Sequence, residues 1–159
     1  YNYHRKIIGF DTFKGFPSIN KKDGKNLHMK KKYFKRNYDV KNELMDLVKI
    51  FDKDRPIGHK KKIELVKGNA TKTIPQYLKK NKELLVSLLF LDFDIYAPTL
   101  TALKYFLPRM SKGGIIAFDQ VNNPDWPGET LAYLKKKELK KFKLENLNFE
   151  PNISFLQLK

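Results

Sequence analysis

Apolar residues along this chain fall into short runs of strand length, separated by segments with helical spacing. The runs KIIGF (6–10), IELV (63–66), LLVSLLFLD (84–92) and GGIIAFD (113–119) are bounded by Gly, Pro, Asn or Asp. The third run is apolar on both faces, which is typical of the central strand of a covered parallel sheet. The pattern predicts four strands in this part of the chain.

The segments between these strands predict helices, because their apolar residues recur three and four positions apart. The first helix is capped by Asp39 and carries Val40, Leu44, Leu47, Val48 and Phe51, and Pro56 and Gly58 end it. The second helix begins at Thr71 or Thr73 and has Pro75 in its first turn. The third runs from Pro98 to near Pro108, and the fourth from about Gly128 to near Lys137. FKLENLNF and ISFLQL, around Pro151, predict a final antiparallel pair.

The alternation of strands and helices predicts an α/β fold. Helical connections between strands favour right-handed crossovers and a mostly parallel sheet with helices on both faces, which is a three-layer, Rossmann-like arrangement. With 159 residues, 41% of them hydrophobic, the chain is expected to form one domain over residues 1–159.

Three of the predicted strands run into an aspartate: Asp11, Asp92 and Asp119. Parallel strands bring these carboxylates to the carboxyl edge of the sheet, where open α/β sheets bind ligands. Two neighbouring carboxylates repel unless a cation or a shared proton lies between them, and Gln120 adds a neutral oxygen. Oxygen ligands of this kind suit Mg²⁺ better than zinc, although any single aspartate at a strand end can instead cap a helix or pair with a lysine.

The formal charge of +16 is the most unusual feature of the composition. This charge is compatible with nucleic-acid binding. Specific recognition of phosphates and bases favours arginine, however, and only four of the 33 basic residues are arginine: Arg5, Arg36, Arg55 and Arg109. We therefore interpret the cluster HMKKKYFKR (28–36) as a solvated, mobile loop, and steering of an anionic substrate as the second interpretation.

The sequence also indicates where the protein functions. No apolar run approaches the roughly 18 residues of a membrane-spanning helix, no leader peptide is visible after Tyr1, and cysteine is absent. These features favour a cytoplasmic enzyme that does not contact membranes. They leave a homo-oligomer open.

Five sequence blocks together resemble the macrocin O-methyltransferase family, whose members methylate hydroxyls of deoxysugars. The blocks are GFDTFKGFP (9–17), VKGNATKTIPQYL (66–78), LLFLDFDIYAPTLTAL (88–103), LPRMSKGGIIAFDQ (107–120) and WPGET (126–130). The resemblance implies a class I S-adenosylmethionine-dependent methyltransferase fold, a sugar or nucleotide-sugar substrate, and Mg²⁺ as a second cofactor.

The resemblance also implies roles for individual residues. Asp11, with Thr12 and Phe13 beside it, would bind the ribose of S-adenosylmethionine. The turn of Gly68, Asn69 and Ala70 would contact the adenine, with the amide oxygen of Asn69 accepting from the adenine amino group. Asp92 would face both the cofactor and the metal. Asp92 and Asp119 would be the catalytic metal ligands, with Gln120 at a position where the family often has an acidic third ligand. Asp94, two residues after Asp92 and past the end of the strand, would order the loop or contact the substrate, as would Tyr96. Asn122, Asn123 and Trp126 would hold the sugar, although ordinary turn chemistry also accounts for residues of these types.

One element of the implied fold has no counterpart in the sequence. The glycines never form G-x-G, so the first strand and its glycine-rich loop are missing, and KIIGFD would be the second strand of the sheet. We therefore expect an N-terminally incomplete domain with a slot of roughly 9 to 10 Å between KIIGFD and LLVSLLFLD, which an upstream strand fills.

Other functions remain compatible with the residues alone. A D-x-D after an apolar strand also occurs in glycosyltransferases, where it holds a metal and a nucleotide sugar, and in haloacid-dehalogenase-type phosphatases, which favour Thr or Val where Tyr96 stands. A lysine-rich module that binds nucleic acid is the alternative outside enzymes. No residue is identified as a general base, because His4, His28 and His59 all lie in flanking or loop segments and are expected at the surface.

Overall fold

The computed structural model describes residues 4–159 and contains the predicted alternation of strands and helices. The strands are β1 (Ile7–Asp11), β2 (Ile63–Lys67), β3 (Val86–Leu91), β4 (Met110–Phe118), β5 (Glu145–Leu147) and β6 (Glu150–Gln157). The α-helices are α1 (Val40–Asp54), α2 (Ala70–Lys80), α3 (Tyr96–Phe106) and α4 (Pro127–Lys135). Short 3₁₀ turns occupy Lys21–Asp23, Leu107–Arg109 and Lys137–Leu139.

The strands form two separate sheets among the described residues. β1 pairs with β2 in parallel, and the second sheet has the order β3-β4-β6-β5. Within it, β3 and β4 are parallel, whereas β6 runs antiparallel to both β4 and β5. The predicted parallel sheet and its closing antiparallel pair are therefore confirmed, and β1 is not paired with β3, as the expected slot requires.

Local capping explains where the helices begin. Asp39 caps α1 as predicted, because its carboxylate accepts the backbone N–H of Asn42. The predicted start of α2 at Thr71 or Thr73 was wrong: Asn69 is the cap, and its side-chain oxygen accepts the Thr71 N–H. α3 begins at Tyr96 rather than Pro98, which instead lies in its first turn.

The core lies on one face of the second sheet. Leu89 and Leu91 of β3 pair in register with Ile116 and Phe118 of β4, and all four are buried in one cluster. The residues that cover them come from α2, α3 and α4 and include Ile74, Leu78, Leu103, Phe106 and Ala132. These helices and strands hold the carboxyl ends of β3 and β4 at a fixed separation.

The opposite face of β3 is open, which differs from the prediction of a covered central strand. Leu88 and Phe90 alternate with the buried residues and are 60% and 48% exposed. β3 is also an edge strand of its sheet, and α1 buries none of its residues. The apolar sequence of β3 is thus matched by packing on one face only.

The segment between β1 and α1 contains a buried aromatic residue and is otherwise largely exposed. Phe16 is buried, and its ring contacts Tyr33, Phe34 and Trp126. Tyr33 and Phe34 of the 28–36 cluster therefore lie against Phe16, and Phe34 also stacks on Trp126 in the loop after β4, whereas the four lysines of the cluster are exposed, as the interpretation of a solvated segment predicts. Among residues 4–159, no helix is long and apolar enough to cross a membrane.

Candidate active site

A large cleft separates β1 from β3 and has a volume of about 1420 Å³. Its walls are the two strands and the turns that follow them. Every residue expected to bind the cofactor lines it: Asp11, Thr12, Phe13, Gly68, Asn69, Ala70 and Asp92. Asp94 also lines the cleft, so one cavity connects the expected cofactor residues with the acidic residues after β3.

Three carboxylates gather at the mouth of this cleft. Asp92 and Asp94 follow β3 and Asp119 follows β4, and one oxygen from each lies within 4.8 Å of the others. The backbone N–H of Asp119 donates to the carbonyl of Leu91 at 3.0 Å, which joins the two strand ends. The predicted convergence of Asp92 and Asp119 is therefore present.

The electrostatics of the cluster reflect concentrated negative charge. Burial, followed by the charges of Asp119 and Asp11, raises the pKa of Asp92. Burial, followed by the charges of Asp92 and Asp119, raises the pKa of Asp94 to about 7. Like charges at this distance disfavour the ionised form, and a divalent cation between them would reverse the effect.

Asp94 joins Asp92 and Asp119 in this cluster, a role that the sequence analysis did not give it. Asp94 has a positive φ of 58°, which turns the chain sharply after β3 and brings its carboxylate back to the cluster. Gln120 instead uses its amide locally: its NH₂ donates to Asp119 at 3.0 Å, and its oxygen accepts from the Asn123 amide at 2.7 Å. Gln120 therefore supports Asp119, and its oxygen is already hydrogen-bonded.

The cofactor candidates form two tight turns. One oxygen of Asp11 accepts the backbone N–H of Phe13, and the backbone carbonyl of Asp11 accepts the Gly68 N–H at 2.8 Å. The side-chain oxygen of Asn69 accepts both the N–H and the hydroxyl of Thr71, at 3.0 and 2.8 Å. These two hydrogen bonds use both lone pairs of the amide oxygen. The NH₂ group of Asn69 is then the part of the side chain that can bind a ligand.

The substrate candidates are less uniform. Tyr96 is buried, and its hydroxyl accepts a hydrogen bond from Lys22 at 3.0 Å. Trp126 stacks with His28 and Phe34 at the loop after β4, and Asn122 is exposed in the same loop. None of these three residues is among those that line the cleft. Both Trp126 and Asn122 follow Asp119 in the chain, in the loop after β4.

Two buried carboxylates near the site were not identified from the sequence. Asp23 accepts the Tyr96 N–H at 2.6 Å, and this bond attaches the loop after β1 to the start of α3. Glu129 is fully buried and accepts three backbone N–H groups from the turns after β3 and β4. Burial raises the pKa of Glu129 to about 7, and the hydrogen bonds oppose this shift. Locally, Glu129 resembles any acidic residue in the first turn of a helix, where carboxylates are favoured.

The three histidines lie at the surface, and His4 is among the residues that line the cleft. His4, His28 and His59 are all exposed, as predicted. His28 contacts the rings of Tyr33 and Trp126.

Comparison with known proteins identifies relatives of the whole chain. The family model for macrocin-O-methyltransferase (TylF) matches residues 2–145. The crystal structure of CalS11, a calicheamicin methyltransferase, is 34% identical with a TM-score of 0.93, over 99% of this chain and 62% of its own. An apo structure of CalS11, described as a TDP-rhamnose 3'-O-methyltransferase, is 30% identical with a TM-score of 0.79, over 99% and 60%.

A third structure, the O-methyltransferase NovP, is 18% identical with a TM-score of 0.67, over 98% of this chain and 61% of its own. At this identity, the similarity is evidence for a shared fold alone. No curated protein sequence matches the chain. The chain spans less than two thirds of the length of these solved relatives. The methyltransferase fold expected from the sequence is confirmed.

Proposed function

Because the chain belongs to the macrocin-O-methyltransferase family, we propose that it acts as an S-adenosylmethionine-dependent O-methyltransferase on a hydroxyl of a sugar. The observation that carries this proposal is the carboxylate cluster at the mouth of a cleft that all the expected cofactor residues line. The similarity to CalS11, which is described as a TDP-rhamnose 3'-O-methyltransferase, supports a nucleotide-linked sugar as the substrate. The proposal includes a cytoplasmic location, which fits a chain without cysteine.

The donor set fits a hard divalent cation. Asp92, Asp94 and Asp119 offer oxygens within 4.8 Å of one another. Burial, followed by the charges of the neighbouring carboxylates, raises the pKa values of Asp92 and Asp94. We assign the third ligand to Asp94 rather than Gln120, whose amide is hydrogen-bonded to Asp119 and Asn123. Mg²⁺ held by these carboxylates would bind the substrate hydroxyl and lower its pKa.

The turns after β1 and β2 fit the nucleoside part of S-adenosylmethionine, which supplies the methyl group. One oxygen of Asp11 already accepts the Phe13 N–H, so its second oxygen is the one that can accept ribose hydroxyls. Asn69 has its oxygen engaged by Thr71 and would donate its NH₂ to an adenine ring nitrogen. This differs from the expectation that the amide oxygen of Asn69 accepts from the adenine amino group.

The loop after β4 is the proposed sugar contact. Trp126 presents a ring that His28 and Phe34 hold in a stacked arrangement, and rings of this kind give a flat, apolar surface with a polar N–H. Asn122 adds an exposed amide beside it. Tyr96 has a less direct role, because its buried ring and its hydroxyl hold Lys22 and thus the loop after β1.

Titration of the full-length protein with three ligands tests the proposal. Calorimetry with S-adenosylmethionine in the presence of Mg²⁺ is expected to show binding, whereas a UDP-sugar alone and single-stranded RNA are expected to bind weakly or not at all. Binding of the UDP-sugar and Mg²⁺ without binding of S-adenosylmethionine would favour a glycosyltransferase. RNA binding that weakens steeply with salt would favour the nucleic-acid-binding alternative.

A further inference from the structure

The first turn of α4 lies directly against the turn that carries Asp92 and Asp94. A Cβ added to Gly128 would lie 2.6 Å from the backbone nitrogen of Tyr96 and 2.7 Å from the carbonyl oxygen of Asp94. Only glycine therefore allows the helix to approach this backbone so closely. Two residues later, the Thr130 hydroxyl accepts the Asn122 N–H at 2.8 Å, so the same turn of helix also contacts the loop after β4.

Glu129 lies between these two contacts and joins the loops directly. Its Oε1 accepts the N–H groups of Phe93 at 3.1 Å and Asp94 at 3.3 Å, in the turn after β3. Its Oε2 accepts the N–H of Gln120 at 3.0 Å, in the turn after β4. One carboxylate thus serves both loops, with a different oxygen for each.

We infer that Glu129 is a positioning residue that sets the separation of the two acid-bearing turns and so keeps Asp92, Asp94 and Asp119 at metal-binding distance. This inference rests on the proposed function, since it assumes that the carboxylate cluster binds a divalent cation. Glu129 is not itself a ligand in this arrangement, because both of its oxygens accept backbone N–H groups.

A simple capping role does not account for these contacts. A carboxylate in the first turn of a helix stabilises it by facing the free N–H groups of that turn. The partners of Glu129 are instead Phe93 and Asp94, more than thirty residues earlier, and Gln120, nine residues earlier. The carboxylate therefore links segments that are distant in sequence, and these are the segments that carry the acidic residues.

The chemistry of the bridge requires two acceptor oxygens. An ionised carboxylate is acceptor-only, whereas an amide has one oxygen and one NH₂ group. In a Glu129→Gln variant, the NH₂ group would face the N–H of one of the two loops, and that hydrogen bond would be lost. The variant keeps the size of the side chain, so the core packing around it is retained.

The test measures Mn²⁺ affinity and amide exchange in the full-length protein. Outer-shell partners of metal ligands change metal affinity by about 10- to 100-fold, so Glu129→Gln is expected to weaken Mn²⁺ binding by about tenfold or more. Metal-free hydrogen exchange, followed by NMR, is expected to be faster at the Phe93 and Asp94 amides or at the Gln120 amide. Saturating Mn²⁺ should restore most of the methyl transfer that Glu129→Gln loses at low Mn²⁺. The activity of a variant that is merely less stable would not depend on the Mn²⁺ concentration in this way.

A matched control is Glu138→Gln, because Glu138 is an exposed glutamate in a 3₁₀ turn and pairs with Lys136. This substitution should leave both the Mn²⁺ affinity and the amide exchange unchanged. If Glu129→Gln does not fold, Glu129→Asp replaces it, since the shorter side chain keeps the charge but cannot span both loops. Wild-type Mn²⁺ affinity together with unchanged exchange at all three amides would overturn the inference. Absence of Mn²⁺ binding in the wild type would overturn the proposed metal instead, and exchange at the three amides would still decide whether Glu129 positions the turns.

Discussion

The open edge and open face of β3 lead to the prediction that a strand from outside these 159 residues pairs with this edge and that a helix connected to it covers this face. β1 and β3 line opposite sides of that cleft and belong to different sheets. Each strand therefore has an edge of backbone N–H and C=O groups without a neighbouring strand, which natural sheets avoid unless the edge is covered. A strand between them would pair with both and would join the two sheets into one.

The exposed apolar side chains set the size of the effect. Ile7, Leu85 and Leu88 are 67%, 75% and 60% exposed, and Phe90 lies beside them. Full burial of such a side chain stabilises a protein by about 1.5 to 3 kcal/mol. With about half to three quarters of each side chain exposed, the four residues together leave roughly 4 to 7 kcal/mol of burial energy unused. This is comparable to the whole stability of many domains, which is about 5 to 15 kcal/mol.

Replacing Leu88 by Ser tests whether this face of β3 is exposed or covered. In the polypeptide of residues 1–159, Leu88→Ser should lower the free energy of unfolding by about 1 kcal/mol, because the side chain is 60% exposed and only its remainder contributes burial energy. In a longer polypeptide that contains the predicted strand, the same change should cost about 2 kcal/mol or more, because a covered leucine is removed. Urea unfolding of both polypeptides, followed by circular dichroism, measures the difference.

The control for this experiment is Leu134→Ser on α4, which is 47% exposed and does not line the cleft. It should have a small effect in both polypeptides. An equally small effect of Leu88→Ser in both would refute the prediction, since no added segment would then cover this face. Hydrogen bonds between β1 and β3 in a structure of the longer polypeptide would refute it independently.

Three further predictions concern the acidic cluster and the cofactor turn. Asp92→Asn, Asp94→Asn and Asp119→Asn should each abolish most Mg²⁺-dependent methyl transfer while circular dichroism stays unchanged; full activity after EDTA treatment would contradict the metal assignment. The pKa of Asp94 is raised from 3.8 to about 7, so the folded protein holds an extra proton between these values. Metal-free stability should consequently fall as the pH rises from about 4 to about 7, with a smaller slope in Asp94→Asn; an equal slope would contradict this cause. Asn69→Ala should lower stability by about 1 kcal/mol through loss of the cap and should also weaken S-adenosylmethionine binding in calorimetry; unchanged affinity would remove Asn69 from the cofactor site.

The sequence was sufficient to predict the elements whose signals are local. The apolar runs located β1 to β4, and the Asp39 cap and helical spacing located α1, because these features depend on neighbouring residues. The start of α2 was misjudged because Asn69 and two threonines compete for the same capping role, and only the backbone geometry shows that Asn69 takes it. The covering of β3 could not be judged either, since an apolar strand has the same sequence whether its second face is packed or open.

The acidic site shows where prediction from sequence reaches its limit. Asp92 and Asp119 were predictable, because parallel strands that end on aspartates must bring them to one edge. Asp94 was expected to order the loop or contact the substrate, because it lies two residues after Asp92 and past the end of the strand. Its positive φ reverses the chain instead, and Gly128 and Glu129, from a helix more than thirty residues later, hold that turn in place. The third carboxylate is thus selected by tertiary contacts, and the residues that make them show no local pattern of their own.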